Sequence, residues 1–203
     1  MDHPMLFVIS APSGTGKTTI RREIERRCPS IRYSVSCTTR KPRTGEKDGV
    51  DYFFISREEF ESRIAGGNFL EWASVFGNYY GTDRSYVEKL LGEGYDVILD
   101  IDVKGATQVR ARKRDVVTIF ILPPSMNVLK DRLAGRGTES EEALNRRLEE
   151  AKREILLAPW YDYVVVNDVL EEAVENILSI IRATKCRREN SRDVLNGFLK
   201  LLT

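Results

Sequence analysis

The stretch MLFVISAPSGTGKTTI, residues 5–20, decides the fold of this chain. It begins with a compact apolar run, residues 5–10, which is typical of a buried strand. Small residues and two glycines follow at residues 11–16, and residues 17–27 then place isoleucines at helical spacing. A strand, a tight loop and a helix in this order predict an α/β fold, a doubly wound parallel sheet with helices between its strands.

Residues 11–18 match the phosphate-binding loop (P-loop) pattern GxxxxGK[ST], except that Ala11 replaces the first glycine. In such a loop, backbone N–H groups and the N-terminus of the next helix face a phosphate anion. Lys17 is expected to reach the β- and γ-phosphates of ATP, and the Thr18 hydroxyl to ligate Mg²⁺. A glycine-rich turn that only joins a strand to a helix is the alternative, and the Lys-Thr pair favours the nucleotide site. The predicted ATP-binding residues of the loop are Ala11, Pro12, Ser13, Gly14, Thr15, Gly16, Lys17 and Thr18.

Three further apolar runs, each followed by a segment compatible with a helix, predict buried parallel strands at residues 95–101, 116–122 and 163–166. Two insertions differ from this pattern. Residues 33–94 are rich in aromatic residues, glycines and short alternating runs, which predict a mixed-β lobe. Residues 125–158 predict a helical lid with a break at residues 135–137 and a restart capped by Thr138 or Ser140. The predicted core comprises residues 1–32, 95–124 and 159–184.

Composition limits the classes of partner and compartment. The 203 residues carry 32 Lys and Arg against 31 Asp and Glu, a net charge of +1 that predicts no general nucleic-acid surface. Three cysteines, at positions 28, 37 and 186, lack zinc or disulfide spacing, which favours a reducing, cytoplasmic location. No signal peptide and no apolar run of the roughly 18 residues that a span needs are evident, so we expect no membrane partner. The oligomeric state stays open between monomer and homo-oligomer.

Segments of the lobe and of the core resemble guanylate kinases, in the same order and from about residue 7 to residue 182. They are SVSCTTRKPR at 34–43, GE at 45–46, DY at 51–52, FLEWA at 69–73, GNYYGT at 77–82, ILDID at 98–102 with Gly105, GRGTE at 135–139 and VND at 166–168. This resemblance implies a guanylate kinase-like domain over residues 1–184. It also implies ATP-dependent phosphorylation of GMP to GDP with Mg²⁺ as cofactor, dGMP as a further substrate, and a role in purine nucleotide metabolism and GMP recycling.

The resemblance also implies a GMP site. The residues for guanine are Ser36, Glu71, Thr82 and Asp102, and those for the GMP phosphate are Arg40, Arg43, Tyr52 and Tyr80. Guanine presents two adjacent donors, N1–H and the 2-amino group, which one carboxylate can accept together, whereas adenine presents an acceptor at N1. Glu71 with Ser36 or Thr82 supplies this complement, and the arginines with the tyrosines suit a dianionic phosphate. Without the resemblance, Glu71 could be a solvent-facing strand residue and the arginines an exposed basic loop.

For the lid, the resemblance implies that Arg132 and Arg136 move onto the ATP phosphates and that Arg147 bridges toward the transferring group. With Lys17 they form the predicted catalytic set. An ordinary solvated helix is the alternative for these arginines, and it is the interpretation preferred for Arg146.

Asp100 and Asp102 lie two residues apart at the end of an apolar strand, which predicts that both side chains share one face at the carboxyl edge of the sheet. Asp100 is expected to orient a Mg²⁺ water, and Asp102 to bind the guanine amine. Asn167, at the end of the last strand, is implied to contact adenine, and a turn-forming asparagine is the alternative.

The acceptor phosphate has a second pKa of about 6 and is mostly a dianion at neutral pH, so the transfer needs no general base. A sequence whose only histidine is His3 agrees with this. The competing interpretations are a guanylate kinase-like scaffold that has lost its chemistry and a kinase for another acceptor. The intact P-loop argues against the first, and Glu71 with Ser36 argues against the second.

Residues 185–203 extend beyond the resemblance and place apolar residues at helical spacing, at positions 194, 195, 198, 199 and 202. They predict a C-terminal amphipathic helix that docks on the body of the protein or on a second subunit. A frayed tail with a few surface leucines is the alternative.

Overall fold

The computed structural model describes residues 3–135 and 140–202. Its strands are β1 (Leu6–Ser10), β2 (Ile31–Tyr33), β3 (Cys37–Thr38), β4 (Phe53–Phe54), β5 (Phe69–Val75), β6 (Asn78–Asp83), β7 (Asp96–Asp100), β8 (Val117–Leu122) and β9 (Tyr163–Val166). Its helices are α1 (Lys17–Arg27), α2 (Arg57–Ala65), α3 (Arg84–Gly92), α4 (Val103–Arg112), α5 (Met126–Ala134), α6 (Glu141–Ile155), α7 (Leu170–Lys185) and α8 (Arg192–Leu202).

The larger sheet positions the P-loop. Among the described residues it has five strands in the order β2-β7-β1-β8-β9, and every neighbouring pair is parallel. The central strand β1 lies between β7 and β8, and Ile9 near its end pairs with Asp100 at the end of β7. The P-loop and Asp100 therefore leave the same carboxyl edge of the sheet, where α/β proteins bind nucleotides.

Helices cover both faces of this sheet, which confirms the predicted doubly wound α/β class. Alternate residues of β1 face opposite sides. Phe7 and Ile9 join the apolar cluster under α1 and α7, whereas Leu6 and Val8 join the cluster under α3 and α4. All four are buried. The continuous apolar run at residues 5–10 thus reflects a central strand that is buried on both faces.

Strand β2, at one edge of the sheet, has no counterpart among the predicted strands. It is three residues long, and the guanidinium of its middle residue, Arg32, lies 4.2 Å from the centre of the Tyr95 ring. Only Ile31 and Tyr33 point into the core. So short a run with a central arginine gives too little periodic signal to predict a strand. It also crosses the predicted boundary between the core and the lobe.

The inserted lobe contains a second sheet, ordered β4-β3-β6-β5 in the described residues. Strand β3 pairs with β4 in parallel, whereas the β3–β6 and β5–β6 pairs are antiparallel, so the sheet is mixed as predicted. Phe60 of α2 is fully buried and stacks on Phe69 of β5, with ring centroids 4.3 Å apart. The helix α3 ends the predicted lobe range, yet it packs Val87 and Leu90 against the parallel sheet.

Two helices, α5 and α6, occupy the range of the predicted lid. Ser140 caps α6, its hydroxyl accepting from a backbone N–H of the first turn at 3.3 Å. The other predicted cap, Thr138, lies outside the described residues. Leu129 and Leu133 of α5 pack against Ala151 of α6, and all three are buried. The two helices therefore share a small apolar core of their own.

The chain ends in α8, which follows a short 3-10 turn at Arg188–Ser191. The side-chain amide of Asn190 in that turn donates to the Thr184 carbonyl of α7 at 2.7 Å, which ties the start of the extension to the core. The apolar residues of α8 remain exposed: Val194, Leu195, Phe198, Leu199, Leu201 and Leu202. Within the described ranges no helix, α8 included, combines the length and the apolar character needed to cross a membrane.

Candidate active site

Two glycines in the left-handed region shape the P-loop. Gly14 has a φ of +87° and Gly16 a φ of +96°, a conformation that residues with a Cβ rarely adopt. Gly14 also lies against the lid, because a Cβ added there would come within 2.8 Å of Leu133 Cδ2. Gly16 is the N-cap residue of α1, so the N–H groups of the first helical turn open toward the loop. The segment therefore has the form of an anion site.

Lys17 and Asp100 form an ion pair beside the P-loop, with Nζ and Oδ1 2.6 Å apart. Lys17 opens α1 and Asp100 ends β7, so the pair joins the helix after the loop to the strand beside it. The two side chains are 25% and 19% exposed, so the ion pair is only partly buried. Thr18, the next residue of α1, is exposed.

The groups at this edge of the sheet fit Mg²⁺. This ion prefers oxygen ligands, keeps several waters, and is usually held by one or two protein groups together with substrate phosphates. The Thr18 hydroxyl and the Asp100 carboxylate are oxygen donors next to the P-loop. Such a set suits an ion that arrives with ATP.

Two side chains from other elements hold the carbonyl of Thr15 in the P-loop. The side-chain amide of Asn167 donates to it at 2.7 Å, and Arg132 Nη1 donates at 3.4 Å. Arg132 also donates to the backbone carbonyl of Asn167 at 3.3 Å. Asn167 follows β9 and is 6% exposed, whereas Arg132 lies in α5. Both predicted ATP ligands thus contact the loop itself.

A second lid arginine also reaches the P-loop. Arg147 of α6 donates through Nη2 to the Ser13 hydroxyl at 2.6 Å. Arg146, one residue earlier, is exposed, as expected for a solvated helix residue. The third predicted lid arginine, Arg136, lies outside the described residues.

Glu71 is buried in the lobe, on β5 and opposite Thr82 of β6. Its Oε1 accepts from the Thr82 hydroxyl at 2.6 Å, and only 6% of the residue is exposed, so the solvent-facing alternative is wrong. Burial raises the pKa of Glu71 to about 7; the Thr82 hydrogen bond lowers it, and the charge of Asp102 raises it. A buried carboxyl therefore lies beside a hydroxyl that donates to it, and the carboxylate oxygens can accept from a ligand with hydrogen-bond donors.

The first turn of α4 completes this pocket. Asp102 is the N-cap residue of α4, and its Oδ1 accepts from the Gly105 N–H at 2.7 Å. A Cβ on Gly105 would lie 2.9 Å from Glu71 Oε2, so the glycine leaves room for the carboxylate. Because β7 ends at Asp100, the expectation that Asp100 and Asp102 share one face of a strand is wrong. Asp100 instead pairs with Lys17, and Asp102 turns into the helix beside Glu71.

The predicted phosphate cradle gathers around Arg40. Its guanidinium carbon lies 5.4 Å from the centroid of the Tyr52 ring, and Tyr52 meets Tyr80 edge to face with centroids 5.9 Å apart. Arg40 Nη2 donates to Glu46 Oε1 at 2.8 Å, and Glu46 Oε2 accepts from the Arg43 N–H at 2.8 Å. The hydrogen bond from Arg40 lowers the pKa of Glu46. The Arg43 side chain is exposed.

The sequence predicts a site role for Ser36 but not for Glu46. Ser36, a predicted guanine ligand, precedes β3 and is half-buried, and its carbonyl accepts from the Phe53 N–H at 2.9 Å. Glu46 was not predicted as a site residue, although it orients the cradle. Its place three residues after Arg43, in a turn rich in arginine and glycine, was the signal that could have found it.

Glu154 is a further acidic group that the sequence analysis did not select. It lies on α6 seven residues after Arg147, on the same helix face, and is half-buried. Burial raises the pKa of Glu154 to about 7, Glu150 raises it too, and the charge of Lys17 lowers it. The helical spacing from Arg147 was the available signal for a carboxyl near the P-loop lysine.

A P-loop at the carboxyl edge of a parallel sheet, lid arginines that reach this loop, and a lobe with a buried carboxyl beside a basic cradle define the class of P-loop nucleoside monophosphate kinases. Comparison with known proteins identifies the family within this class. The family profile described as guanylate kinase matches residues 3–184.

Similar proteins carry the same name. The guanylate kinase of Symbiobacterium thermophilum is 56% identical over 183 residues, which cover 90% of this chain and 87% of that protein. The guanylate kinase of Neisseria gonorrhoeae is 54% identical over 194 residues, or 96% of this chain and 93% of that protein. A crystal structure of guanylate kinase from Anaplasma phagocytophilum matches with a TM-score of 0.73 at 38% identity, covering 92% of this chain and 88% of that one. The chain belongs to the guanylate kinase family.

Proposed function

We propose that this chain transfers the γ-phosphoryl group of ATP to GMP, ATP + GMP = ADP + GDP. Membership of the guanylate kinase family supports the reaction, and the buried Glu71 carries the choice of acceptor. Its carboxylate complements the two donors of guanine, and because the Thr82 O–H already donates to Oε1, the Ser36 hydroxyl is proposed to donate to the O6 acceptor. AMP would place the N1 lone pair against the same carboxylate. Leaving such buried groups unpaired costs about 1–3 kcal/mol.

The remaining GMP contacts are proposed for residues of the lobe and for the cap residue of α4. Ser36 and Asp102 are proposed to bind the rest of the guanine edge. The GMP phosphate is proposed to bind the cradle described above, whose members are Arg40, Arg43, Tyr52 and Tyr80. Glu46 holds Arg40 in place, so the guanidinium is oriented before the anion arrives.

ATP is proposed to bind the P-loop, residues 11–18, with Asn167 beside it. Lys17 exchanges Asp100 for the β- and γ-phosphates. Thr18 and, through water, Asp100 would hold Mg²⁺, which neutralises phosphate charge when it is bound. Positive charge from the lid, namely Arg132, Arg136 and Arg147, stabilises the transferring group.

Catalysis then rests on positioning and charge. The GMP phosphate is mostly a dianion at neutral pH, so no side chain has to remove a proton from it. The lobe (33–94) and the lid (125–158) are proposed to close on the core and exclude the water that would hydrolyse ATP.

Two finer points belong to the same proposal. We expect dGMP to be a second acceptor, because the contacts assigned above reach the base and the phosphate rather than the ribose 2′-hydroxyl. We also propose a cytoplasmic role in purine nucleotide metabolism and GMP recycling. The free thiols of Cys28, Cys37 and Cys186 support a reducing compartment.

An acceptor panel tests the function. The protein is incubated with ATP, Mg²⁺ and each of GMP, dGMP, AMP, CMP and UMP, and ADP formation is followed in a coupled assay. We expect GMP to react fastest, dGMP next, and AMP with a kcat/KM lower by about 10²-fold or more. Removal of Mg²⁺ with EDTA should stop the reaction. A scaffold without chemistry would form no ADP with any acceptor, and a kinase for another acceptor would prefer another nucleotide.

A further inference from the structure

Asn167 and the P-loop meet at the carbonyl of Thr15. Asn167 Nδ2 donates to this oxygen at 2.7 Å across 152 positions of the sequence, and the residue is 6% exposed. Its amide donor is thus engaged with the protein. Arg132 Nη1 donates to the same oxygen at 3.4 Å and to the Asn167 carbonyl at 3.3 Å.

The position of the Thr15 carbonyl fixes the direction of the next N–H. In a planar trans peptide, the C=O and the following N–H point in opposite directions. When Asn167 holds the Thr15 oxygen on one side of the loop, the Gly16 N–H turns to the other side and becomes available to an anion. Gly16 tolerates either sign of φ, so without the Asn167 donor only the longer hydrogen bond from Arg132 opposes a rotation of this peptide that would present its oxygen to the phosphates.

The asparagine is fixed to the sheet and packed against the loop. Its own N–H donates to the Leu122 carbonyl at the end of β8, at 2.8 Å. A Cβ added to Gly16 would come within 2.6 Å of Asn167 Nδ2, so glycine is needed there for room as well as for its φ of +96°. The loop thus rests against a group whose position the parallel sheet sets.

We propose that Asn167 is a positioning residue, which sets the phosphate-binding geometry of the P-loop through the Thr15 carbonyl. The inference rests on the proposed function only in that the phosphates of ATP bind this loop. It differs from a contact to adenine in its consequence. A residue that positions the loop affects every ligand that carries the phosphates, whether or not a base is attached.

Isothermal titration of inorganic tripolyphosphate and of ATP into the full-length protein tests the proposal. Asn167→Ala removes the donor, and Asn167→Asp keeps the size but puts an acceptor in its place. In both variants the affinity for both ligands should fall by about tenfold or more, because the buried Thr15 carbonyl loses its 2.7 Å hydrogen bond and keeps only the 3.4 Å one from Arg132. The KM for ATP should rise while the KM for GMP stays unchanged. Asn145→Asp makes the same chemical change at an exposed position of α6 and should bind both ligands like the wild type.

Three results would overturn the proposal. A lower affinity for ATP with an unchanged affinity for tripolyphosphate would show that Asn167 contacts the adenine base. Unchanged affinities for both ligands would show that Asn167 has no role at this site. Wild-type affinity in Asn167→Asp would show that shape matters and the donor does not. Circular dichroism shows whether each variant folds. If Asn167→Asp does not fold, the affinities of Asn167→Ala alone test the proposal. The GMP assay of the wild type is independent of these titrations. If the wild type forms no GDP, the proposed function is wrong, but the comparison of tripolyphosphate affinities still tests the role of Asn167.

Discussion

Lys17 pairs with the Asp100 carboxylate and is proposed to bind the phosphates of ATP. Lys17→Ala removes the positive charge proposed to stabilise the phosphoryl group during its transfer, so kcat/KM should fall by about 10²-fold or more. The fold should survive, because partly exposed ion pairs such as Lys17–Asp100 contribute only about 0–1 kcal/mol to stability. A coupled ADP assay and a circular dichroism melt measure the two effects. Lys104→Ala, at an exposed position of α4, is the control, and activity of Lys17→Ala within tenfold of wild type would exclude Lys17 from the mechanism.

Glu71→Gln separates charge from size in the guanine pocket. The amide replaces one acceptor oxygen by a donor that faces a guanine donor, so kcat/KM for GMP should fall by about 10- to 100-fold. The KM for ATP should barely change, because the P-loop is a separate site. AMP, whose N1 accepts hydrogen bonds, should become a relatively better substrate. These constants are measured for GMP and AMP at saturating ATP, and a GMP-to-AMP ratio within threefold of wild type would show that Glu71 does not read the base.

The same carboxyl makes GMP binding depend on pH. Burial raises the pKa of Glu71 from its ordinary 4.5 to about 7, and the donors of guanine require the charged form. As the pH falls through 7 a growing share of Glu71 is protonated, so the KM for GMP should rise, approaching about tenfold per pH unit. The phosphate of GMP has a second pKa of about 6, so the KM is best compared between about pH 6 and pH 8.

Two variants assign this pH dependence. Glu71→Gln should lose it, whereas Glu154→Gln should keep it although Glu154 also has a pKa raised to about 7. The effect on stability has the opposite direction. A pKa raised by folding favours the neutral form, so the ligand-free wild type should lose stability relative to Glu71→Gln as the pH rises from about 5 through 7. A pH-independent KM in the wild type would show that Glu71 is already charged when GMP arrives.

Among the elements, those with a continuous apolar signal were predicted, and those that depend on distant pairing were not. The run at residues 95–101 became β7, because a buried parallel strand is apolar at nearly every position. The two-residue strands β3 and β4 depend on their neighbours in the lobe sheet, so the short alternating runs predict a mixed-β lobe without the bounds of either strand. The start of α6 could be predicted, since Ser140 is a strong cap.

In the candidate site too, some features could be predicted from the sequence and others could not. The P-loop and the resemblance of the lobe motifs indicated which residues to consider, but their partners are set by tertiary contacts. Asn167 contacts Thr15 from 152 positions away, and no spacing in the sequence predicts that bond. Likewise, Asp102 looks like a strand residue in the sequence because only Ile101 separates the end of β7 from the cap of α4.

The helix α4 contributes a glycine whose missing side chain serves the guanine pocket. In Gly105→Ala the new Cβ would lie 2.9 Å from Glu71 Oε2 and 3.3 Å from Ile101 Cβ, so the carboxylate must shift. Helix propensity changes in the stabilising direction by up to about 1 kcal/mol. We therefore expect a KM for GMP about tenfold higher, a shift worth about 1.4 kcal/mol, without a lower melting temperature.

Gly92→Ala is the matched control for this variant. Gly92 lies in the last turn of α3 with open space around its Cβ position, so it tests helix propensity alone. Its KM for GMP should equal that of the wild type. If Gly105→Ala also keeps the wild-type KM for GMP, the Glu71 carboxylate has room to move without loss of function.

At the scale of the whole molecule, the carboxyl end of β7 connects the two proposed nucleotide sites. Asp100 pairs with Lys17 beside the P-loop, and two residues later Asp102 begins the helix whose first turn adjoins Glu71. Residues 100–102 thus connect the proposed donor site to the proposed acceptor site. This arrangement suits a transfer that depends on holding two phosphates in line, because small displacements of either nucleotide reduce the rate strongly.

The C-terminal extension supports a prediction about assembly. An isolated helix of 11 residues is marginal in water, and α8 leaves Phe198, Leu201 and Leu202 at least 64% exposed, so its face needs a partner. We expect that partner to be a second copy of the chain, since packing two such faces removes apolar surface worth roughly 25 cal/mol per Å².

Deletion of residues 192–203 should therefore reduce the mass measured by light scattering to that of the monomer. The melting temperature of a dilute sample should change little, because α8 does not bury this face on the body. Phe198→Asp should act like the deletion, whereas Asn196→Asp adds the same charge at an exposed position of α8 outside the apolar stripe and should keep the wild-type mass. Equal masses for the wild type and the deletion would show that α8 does not mediate self-association. A lower melting temperature with an unchanged mass would show that it docks on its own chain.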